Sequence, residues 1–362
     1  MSEPSNLLCE IDEECRVVLA ARFPESQVHD DVMTLRPIPA EVVFGGWPCQ
    51  DLSVAGLRRG LAGEKSGLFF KMVDVAVKSG AHTLIAENVP NLLRLEGGEN
   101  FRLVLEALQS AGFPFVAWRT LNARQFGLPH QRRRVFIVAS QEKKHCTSLF
   151  RKVPRLPGTK LKNEPTVRSF YWTAGLQGLN LSSGYTPTLK VGSSLSIPSP
   201  PAIFFDNVVR QISPNEAIKL QGFNIRDFRK VSTKAIYRMM GNAVARPVGK
   251  FVAESVMNGG DVSDDLKLTP VATQFELFSD RSFDRLYVAD WPESGLVLGD
   301  EVVEFKQDDP IRLCNSLEDL VDLDDQQELS SRAAAGLVNR LSRSGKPCPP
   351  DLRRALERIA RA

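Results

Sequence analysis

An α/β fold, an open sheet with helices packed on it, is predicted by three features of the 362-residue sequence. Short apolar runs of buried-strand type recur at residues 42–44, 83–86 and 135–139, each bounded by Gly, Pro, Asn or a charge cluster. Apolar residues at helical spacing fill the gaps between them, as at residues 68–77 and 101–111. Chemistry-bearing residues stand directly past strand ends, Cys49 after the first run and Glu87 after the second. Open α/β sheets bind their ligands at that place.

In order along the chain, Leu7-Leu8-Cys9 reads as a strand end, followed by the acidic Glu10. A helix then carries Cys15, Val18, Leu19 and Phe23 on one face up to Pro24. In dinucleotide-type folds an acid at such a strand tip accepts hydrogen bonds from a ribose hydroxyl, a role that Glu10 fits. Asp30, Asp31 and Val32 precede a turn at Pro37 and Pro39, and the next strand ends at Gly45-Gly46-Trp47-Pro48-Cys49. Pro48 fixes its own φ and biases Trp47 towards an extended backbone, so the turn presents the Cys49 thiol in a defined direction. A glycine-punctuated loop with Arg58, Arg59 and Lys65 follows, of the length that lids have.

The helix of residues 68–77 leads to the strand that runs into Glu87-Asn88-Val89-Pro90. A further helix is expected to end at Gly112, and strands follow at residues 115–121 and 135–139, the latter preceded by Arg132-Arg133-Arg134. Residues 141–207 lose the periodicity; they are rich in Lys, Arg, Pro, Gly and Ser, with short strands expected near Pro187-Thr188-Leu189 and from Val191 onward. Ser213, Pro214 and Glu216 form a helix-start signature, and Gly241-Asn242-Ala243-Val244 precedes a last helix at residues 245–257. Beyond it, strands are expected within residues 275–305 and a basic helical hairpin, broken at Gly345-Lys346-Pro347, at residues 331–362. The domain expectation is a catalytic domain at 1–140 completed by 236–257, a small domain at 141–235, and an extension at 258–362.

Composition narrows the class. With 43% hydrophobic and 25% charged residues the chain reads as soluble and globular. No apolar run reaches the length of a membrane span and no basic-then-apolar leader opens the chain, so an intracellular, cytoplasmic protein is expected. Six cysteines show no Cys-x-x-Cys pair and no disulfide framework. Four histidines, none at ligand spacing with a cysteine, argue against a zinc site, and no metal is expected. The net charge of +3 is small, but Arg132 to Arg134, Lys143, Lys144, Arg151, Lys152, Arg155, Lys160 and Lys162 concentrate positive charge mid-chain. That is the footprint of phosphate contacts.

Gly46-Trp47-Pro48-Cys49-Gln50-Asp51-Leu52-Ser53 resembles the Gly-Phe-Pro-Cys-Gln-x-Phe-Ser motif of the DNA cytosine-5 methyltransferases, with Trp47 and Leu52 in place of phenylalanines. Glu87-Asn88-Val89 matches the family's second motif, and His130-Gln131-Arg132-Arg133-Arg134 is similar to its Gln-x-Arg-x-Arg, with His130 in the glutamine's place. Gln221-Gly222-Phe223 and Gly241-Asn242-Ala243-Val244 resemble two later family segments, so the likeness covers about the first two-thirds of the chain.

The resemblance implies a Rossmann-like, S-adenosylmethionine-dependent methyltransferase sheet with a small, irregular target-recognition domain and a C-terminal extension. Cys49 would be the nucleophile on cytosine C6, Glu87 the acid at N3 with a raised pKa, and Arg134 with Arg132 the positive charge beside them. Glu10, Asp31 (with Asp30 as a rival), Val32, Pro48, Leu68 and Asn242 would hold the methyl donor. The implied partner is double-stranded DNA, with the target base flipped from the helix, and a monomer is expected.

One departure stands out. The family's Phe-Ala-Gly-x-Gly-Gly motif, with the sheet's first strand and helix, is not found before Glu10. A start codon assigned too late is the favoured explanation, ahead of a separate chain that supplies the segment or a decayed copy. The rival functions are a non-catalytic or split-subunit DNA-binding member and an RNA cytosine-5 methyltransferase.

Overall fold

The computed structural model describes residues 6–48, 67–154, 166–173, 179–191, 199–258, 268–270, 291–298, 301–306 and 316–362. Cys49 and the loop after it lie outside the described residues. The chain forms two units assembled from interleaved segments. One comprises Met1–Leu121, Arg133–Val153 and Lys250–Asp309; the other comprises Asn122–Arg132, Pro154–Gly249 and Pro310–Ala362.

The first unit begins with a strand, β1 (Leu7–Cys9), a helix, α1 (Glu13–Arg22), and a second strand, β2 (Gln27–His29). Asp12 caps α1 by accepting from the Cys15 backbone N–H, which satisfies one of the orphan donors of the first turn. β1 and β2 pair in parallel as a sheet of their own, Leu8 opposite Val28.

Among the described residues, the main sheet has seven strands. Its site-bearing half comprises β3 (Val42–Gly46), β4 (Thr83–Asn88), β5 (Phe115–Asn122) and β6 (Arg133–Ser140), side by side in the order β5-β6-β4-β3. β3 and β4 run in parallel, with Gly46 opposite Glu87, and β6 runs antiparallel to β4, so the sheet is mixed. Among the described residues, two helices lie in the connections, α2 (Gly67–Lys78) and α3 (Glu99–Ser110). α2 buries Phe69, Met72, Val73 and Ala76 in a core shared with Leu84, Ala86 and Ile137 of the sheet and Phe101, Val104 and Leu108 of α3. Each of the larger of these side chains, fully removed from water, contributes about 1.5–3 kcal/mol, which holds the helices on the sheet. α3 ends as expected before Gly112, whose φ of +95° suits glycine. A short helix, α4 (Lys143–Thr147), follows β6.

The second unit contains a four-stranded sheet of β7 (Arg168–Phe170), β8 (Ser182–Ser183), β9 (Ala202–Phe205) and β10 (Val208–Gln211), in the order β10-β9-β7-β8. Three helices follow it: α5 (Pro214–Leu220), α6 (Thr233–Asn242) and α7 (Arg246–Asn258), the last reaching into the first unit's segments. α5 starts with the expected capping box, Ser213 and Glu216 each satisfying the other's backbone N–H.

Residues beyond 258, expected as one extension, are shared between the units. Three strands, β11 (Leu268–Pro270), β12 (Ser294–Leu298) and β13 (Glu301–Phe305), extend the main sheet, β12 lying antiparallel to β5. The expected hairpin forms as α8 (Ser331–Ser344) and α9 (Pro350–Arg361), turning at Gly345 with φ +60°. Its apolar face, with Leu337, Leu341, Leu352 and Leu356, packs in one core with Phe170, Phe204 and Val209 of the small sheet. The strand expected at Pro187-Thr188-Leu189 does not form; Thr186 makes only an isolated bridge to His130, because that segment's polar groups go to the loop at 129–132. The strand expected from Val191 onward lies largely outside the described residues.

Candidate active site

β4 delivers Glu87 as its penultimate residue, level with Gly46 at the end of β3. β6 returns Arg134 to the same end of the sheet, and its Nε lies 2.7 Å from Glu87 Oε1. Both side chains are largely covered, with 13% of the arginine and 14% of the glutamate exposed. A guanidinium and a carboxylate held this close in a partly water-excluded place form a charge-assisted pair of fixed geometry. Gly46 has a reason to be glycine: a Cβ there would stand 3.2 Å from Glu87 Oε2 and 3.4 Å from its carbonyl oxygen, crowding the carboxylate. Gly45 is constrained on the other side, where a Cβ would meet Met72 Sδ at 2.7 Å.

Asn88 supplies a contact that the motif reading left unassigned. Its Nδ2 donates to the Trp47 carbonyl at 3.0 Å, and its Oδ1 accepts from the Val89 backbone N–H at 2.8 Å. The buried amide thereby ties the end of β4 to the segment that leads into Pro48 and on to Cys49. The Trp47 ring packs against Phe69 of α2, centroids 4.9 Å apart, and fixes that segment from below. An asparagine directly after a buried strand run was the available signal, since such a residue sits where backbone groups need side-chain partners.

The residues expected to hold the methyl donor in this unit occupy strand ends and the helix after the loop. Glu10 and Asp31 follow the adjoining parallel strands β1 and β2, and the Glu10 backbone N–H bonds to the His29 carbonyl at 3.0 Å. Glu10 Oε1 accepts from the Asp12 N–H and Asp31 Oδ1 from the Met33 N–H, so both carboxylates are oriented by the local backbone. Asp30, the rival, is 69% exposed at its side chain and lies near the His29 ring. The Cys9 thiol between them is pushed up by burial and then by the charges of Asp31, Glu10 and Asp30, which reports negative potential gathered at these strand ends. Oriented carboxylates of this kind accept from hydroxyl and amino groups, so the donor set fits a nucleoside. Val32 is half-buried, Pro48 is exposed, and Leu68 packs on the core beside Phe69.

In the second unit, Arg132 is 2% exposed, and its guanidinium donates to the Leu189 carbonyl at 3.2 Å and the Gly241 carbonyl at 2.9 Å. This departs from the expected pairing with Arg134. The two arginines leave the β6 entry with one residue between them, yet Arg132 lies before the strand and is spent on backbone carbonyls. His130 is wholly buried beside it, its Nε2 accepting from the Leu189 N–H at 3.0 Å. Gly241 fits against the backbone of residues 190–191, where a Cβ would stand 2.5 Å from Val191 N. Arg132 and Gly241 together fix the end of α6, and Asn242, its last residue, is exposed.

The mid-chain basic run is partly neutralised internally. Arg133 pairs with Glu293 at 2.7 Å and Lys144 with Glu142 at 2.6 Å, while Arg155, Lys160 and Lys162 lie outside the described residues. Among the described residues, no helix is long and apolar enough to cross a membrane.

Comparison with known proteins agrees with the motif reading. The chain is 34% identical over 280 residues to the type II methyltransferase M2.BsuMI of Bacillus subtilis (strain 168), covering 72% of this chain and 72% of that protein. It is 27% identical over 282 residues to M.Bsp6I of Bacillus sp. (strain RFL6), covering 68% of this chain and 89% of that one. A crystal structure of Spodoptera frugiperda DNMT2 aligns with a TM-score of 0.49 at 14% identity, over 70% of this chain and 92% of that chain. The family model described as C-5 cytosine-specific DNA methylase matches residues 6–173 and 198–258, a span that holds Glu87, Arg134, Glu10, Asp31 and Asn242. The chain belongs to the C-5 cytosine-specific DNA methylase family.

Proposed function

We propose that this chain transfers a methyl group to C5 of cytosine in double-stranded DNA, as a modification enzyme of the type its relatives are named for. The observation that carries the reading is the Glu87–Arg134 pair at the strand ends that flank the entry to Cys49. C5 of cytosine is a poor nucleophile because it belongs to an aromatic ring. Addition of the Cys49 thiolate to C6 forms a carbon–sulfur bond and leaves C5 enamine-like, dividing one hard step into easier ones. Glu87, in its protonated form, donates a hydrogen bond to N3 as negative charge builds there, while Arg134 orients Glu87 and grips O2. When bound, S-adenosylmethionine supplies an electrophilic methyl group. After C5 takes that methyl group, loss of the C5 proton to a base and departure of the thiolate restore the ring.

Glu10 and Asp31 would accept hydrogen bonds from the donor's ribose and adenine, with Val32, Pro48 and Leu68 giving apolar contact and Asn242 a polar one. Arg132 acts as a positioning residue, holding Gly241 and through it Asn242. The target base must leave the duplex to reach these groups, so base flipping is part of the proposal. Such an enzyme works on chromosomal or phage DNA in the bacterial cytoplasm.

The test is covalent trapping. Duplex DNA with 5-fluorocytosine at target positions, incubated with the chain and S-adenosylmethionine, is expected to give an adduct stable to denaturation, lost in Cys49→Ala. Labelled methyl transfer to DNA is measured in parallel. No adduct and no transfer would overturn the reading, and an adduct with fluorocytosine RNA alone would move the substrate to RNA.

A further inference from the structure

We propose that His82, Glu142 and His145 form a binding site for a divalent transition-metal ion, with Zn2+ the best fit, at the end of β4 opposite Glu87. His82 directly precedes β4, and Glu142 and His145 follow β6. The antiparallel register puts Thr83 opposite Ser140 and so brings the three side chains together. One nitrogen from each ring and one carboxylate oxygen all lie within 4.8 Å of one another. The two imidazoles are stacked, centroids 5.3 Å apart at 27°.

Two hydroxyls face the Nδ1 atoms of the rings. Thr83 Oγ1 lies 2.9 Å from His82 Nδ1, 3.1 Å from His145 Nδ1 and 2.8 Å from Ser140 Oγ. Ser140 Oγ lies 3.1 Å from His145 Nδ1, donates to the His82 carbonyl at 3.1 Å, and accepts from the Glu142 N–H at 3.1 Å. Each hydroxyl has one proton. That of Ser140 goes to the His82 carbonyl. With each Nδ1 donating to a hydroxyl oxygen, the tautomer assigned in this proposal, the Nε2 lone pair of each neutral ring is left to bind an ion.

Donation from the second ring nitrogen to an oxygen is the outer arrangement that metal-bound histidines have, and here Thr83 and Ser140 supply it. Two imidazoles and a carboxylate form a nitrogen–oxygen set suited to Zn2+, with a fourth position open to water. Lys144 Nζ lies 2.6 Å from Glu142 Oε2, so Glu142 Oε1 is the atom assigned to the ion. Glu142 is exposed, which leaves its carboxylate free to adjust to an ion. The bound ion would clamp the start of β4 to the segment after β6. It stands apart from the methyl-transfer chemistry, so its test is independent of that reading.

The full chain, stripped with a chelator, is titrated with Zn2+ against a chromophoric chelator, and with Co2+ while the visible spectrum is followed. One equivalent is expected to bind and to raise the thermal midpoint, with Co2+ bands that lack thiolate charge transfer. His82→Ala and Glu142→Gln, at half-buried and exposed positions, are each expected to weaken binding by about tenfold or more. Their metal-free circular dichroism and thermal midpoint should match those of the unaltered chain. Absence of equimolar binding, a thiolate signature, or affinity unchanged in both variants would overturn the site.

Discussion

At the scale of single residues, Glu87 and Arg134 hold each other in place where the reaction is assigned. Glu87→Gln keeps the shape but loses the charge and the acid. It is expected to lower kcat for methyl transfer by about 10²–10⁴-fold, with the thermal midpoint little changed. Arg134→Lys is expected to be nearly as damaging, because a point ammonium cannot reproduce the planar donor set that meets the carboxylate. Cys146 shows the opposite kind of cysteine. It is fully buried between β5 and β6 carbonyls, and burial pushes its thiol up to about 12 from 9.0. Mass spectrometry after iodoacetamide treatment at pH 8 should therefore find Cys146 unmodified until the protein is unfolded. Between pH 9 and 12 the unfolded thiol releases its proton while the folded one keeps it, so this group makes stability fall as pH rises through that window.

At the scale of elements, the end of α6 is set by a backbone-to-backbone approach that only glycine permits. Gly241→Ala would bring a methyl group to 2.5 Å from Val191 N. Urea denaturation is expected to show a loss of about 1–3 kcal/mol, with methyl-donor affinity falling as Asn242 shifts. α5 is anchored differently. Arg210, 1% exposed, makes a two-pronged pair with Glu216 at 2.9 and 2.7 Å, and Glu216 also takes the Ser213 and Asp322 N–H groups. Arg210→Met would strand that carboxylate in the interior and should cost about 3–5 kcal/mol by the same measurement.

At the scale of the whole molecule, the chain crosses between its two units several times, and residues past 258 complete both. Trp291 and Trp118 meet edge to face, and each indole N–H donates at 2.8 Å, to the Gly98 and Pro292 carbonyls respectively. β12 thereby covers the side of β5 away from β6. A chain ending at residue 258 would bare that edge in one unit and the Phe170, Phe204 and Val209 cluster in the other. It is expected to aggregate or to lose its cooperative thermal transition in circular dichroism.

The sequence by itself determined the strands and helices around the motifs, the capping box at Ser213, the helical hairpin, and the family. These rest on local periodicity and on short runs of contiguous residues, which a chain carries whatever its tertiary contacts. It also directed Glu87 and Arg134 to one pocket through their motifs, and in the structure the two side chains pair. Arg132 and Arg134 took different roles only in the folded chain: arginines of one short run look alike in sequence, and burial of Arg132 against the Leu189 and Gly241 carbonyls is a long-range fact. The same holds for the pairing of the strands at 294–305, expected as strands but with a partner, β5, far off in sequence, and for the contact of Asn88 with Trp47. His82, Glu142 and His145 fall into the same class. Their spacing in the sequence argued against a metal, and it is the register of β4 against β6 that sets them side by side.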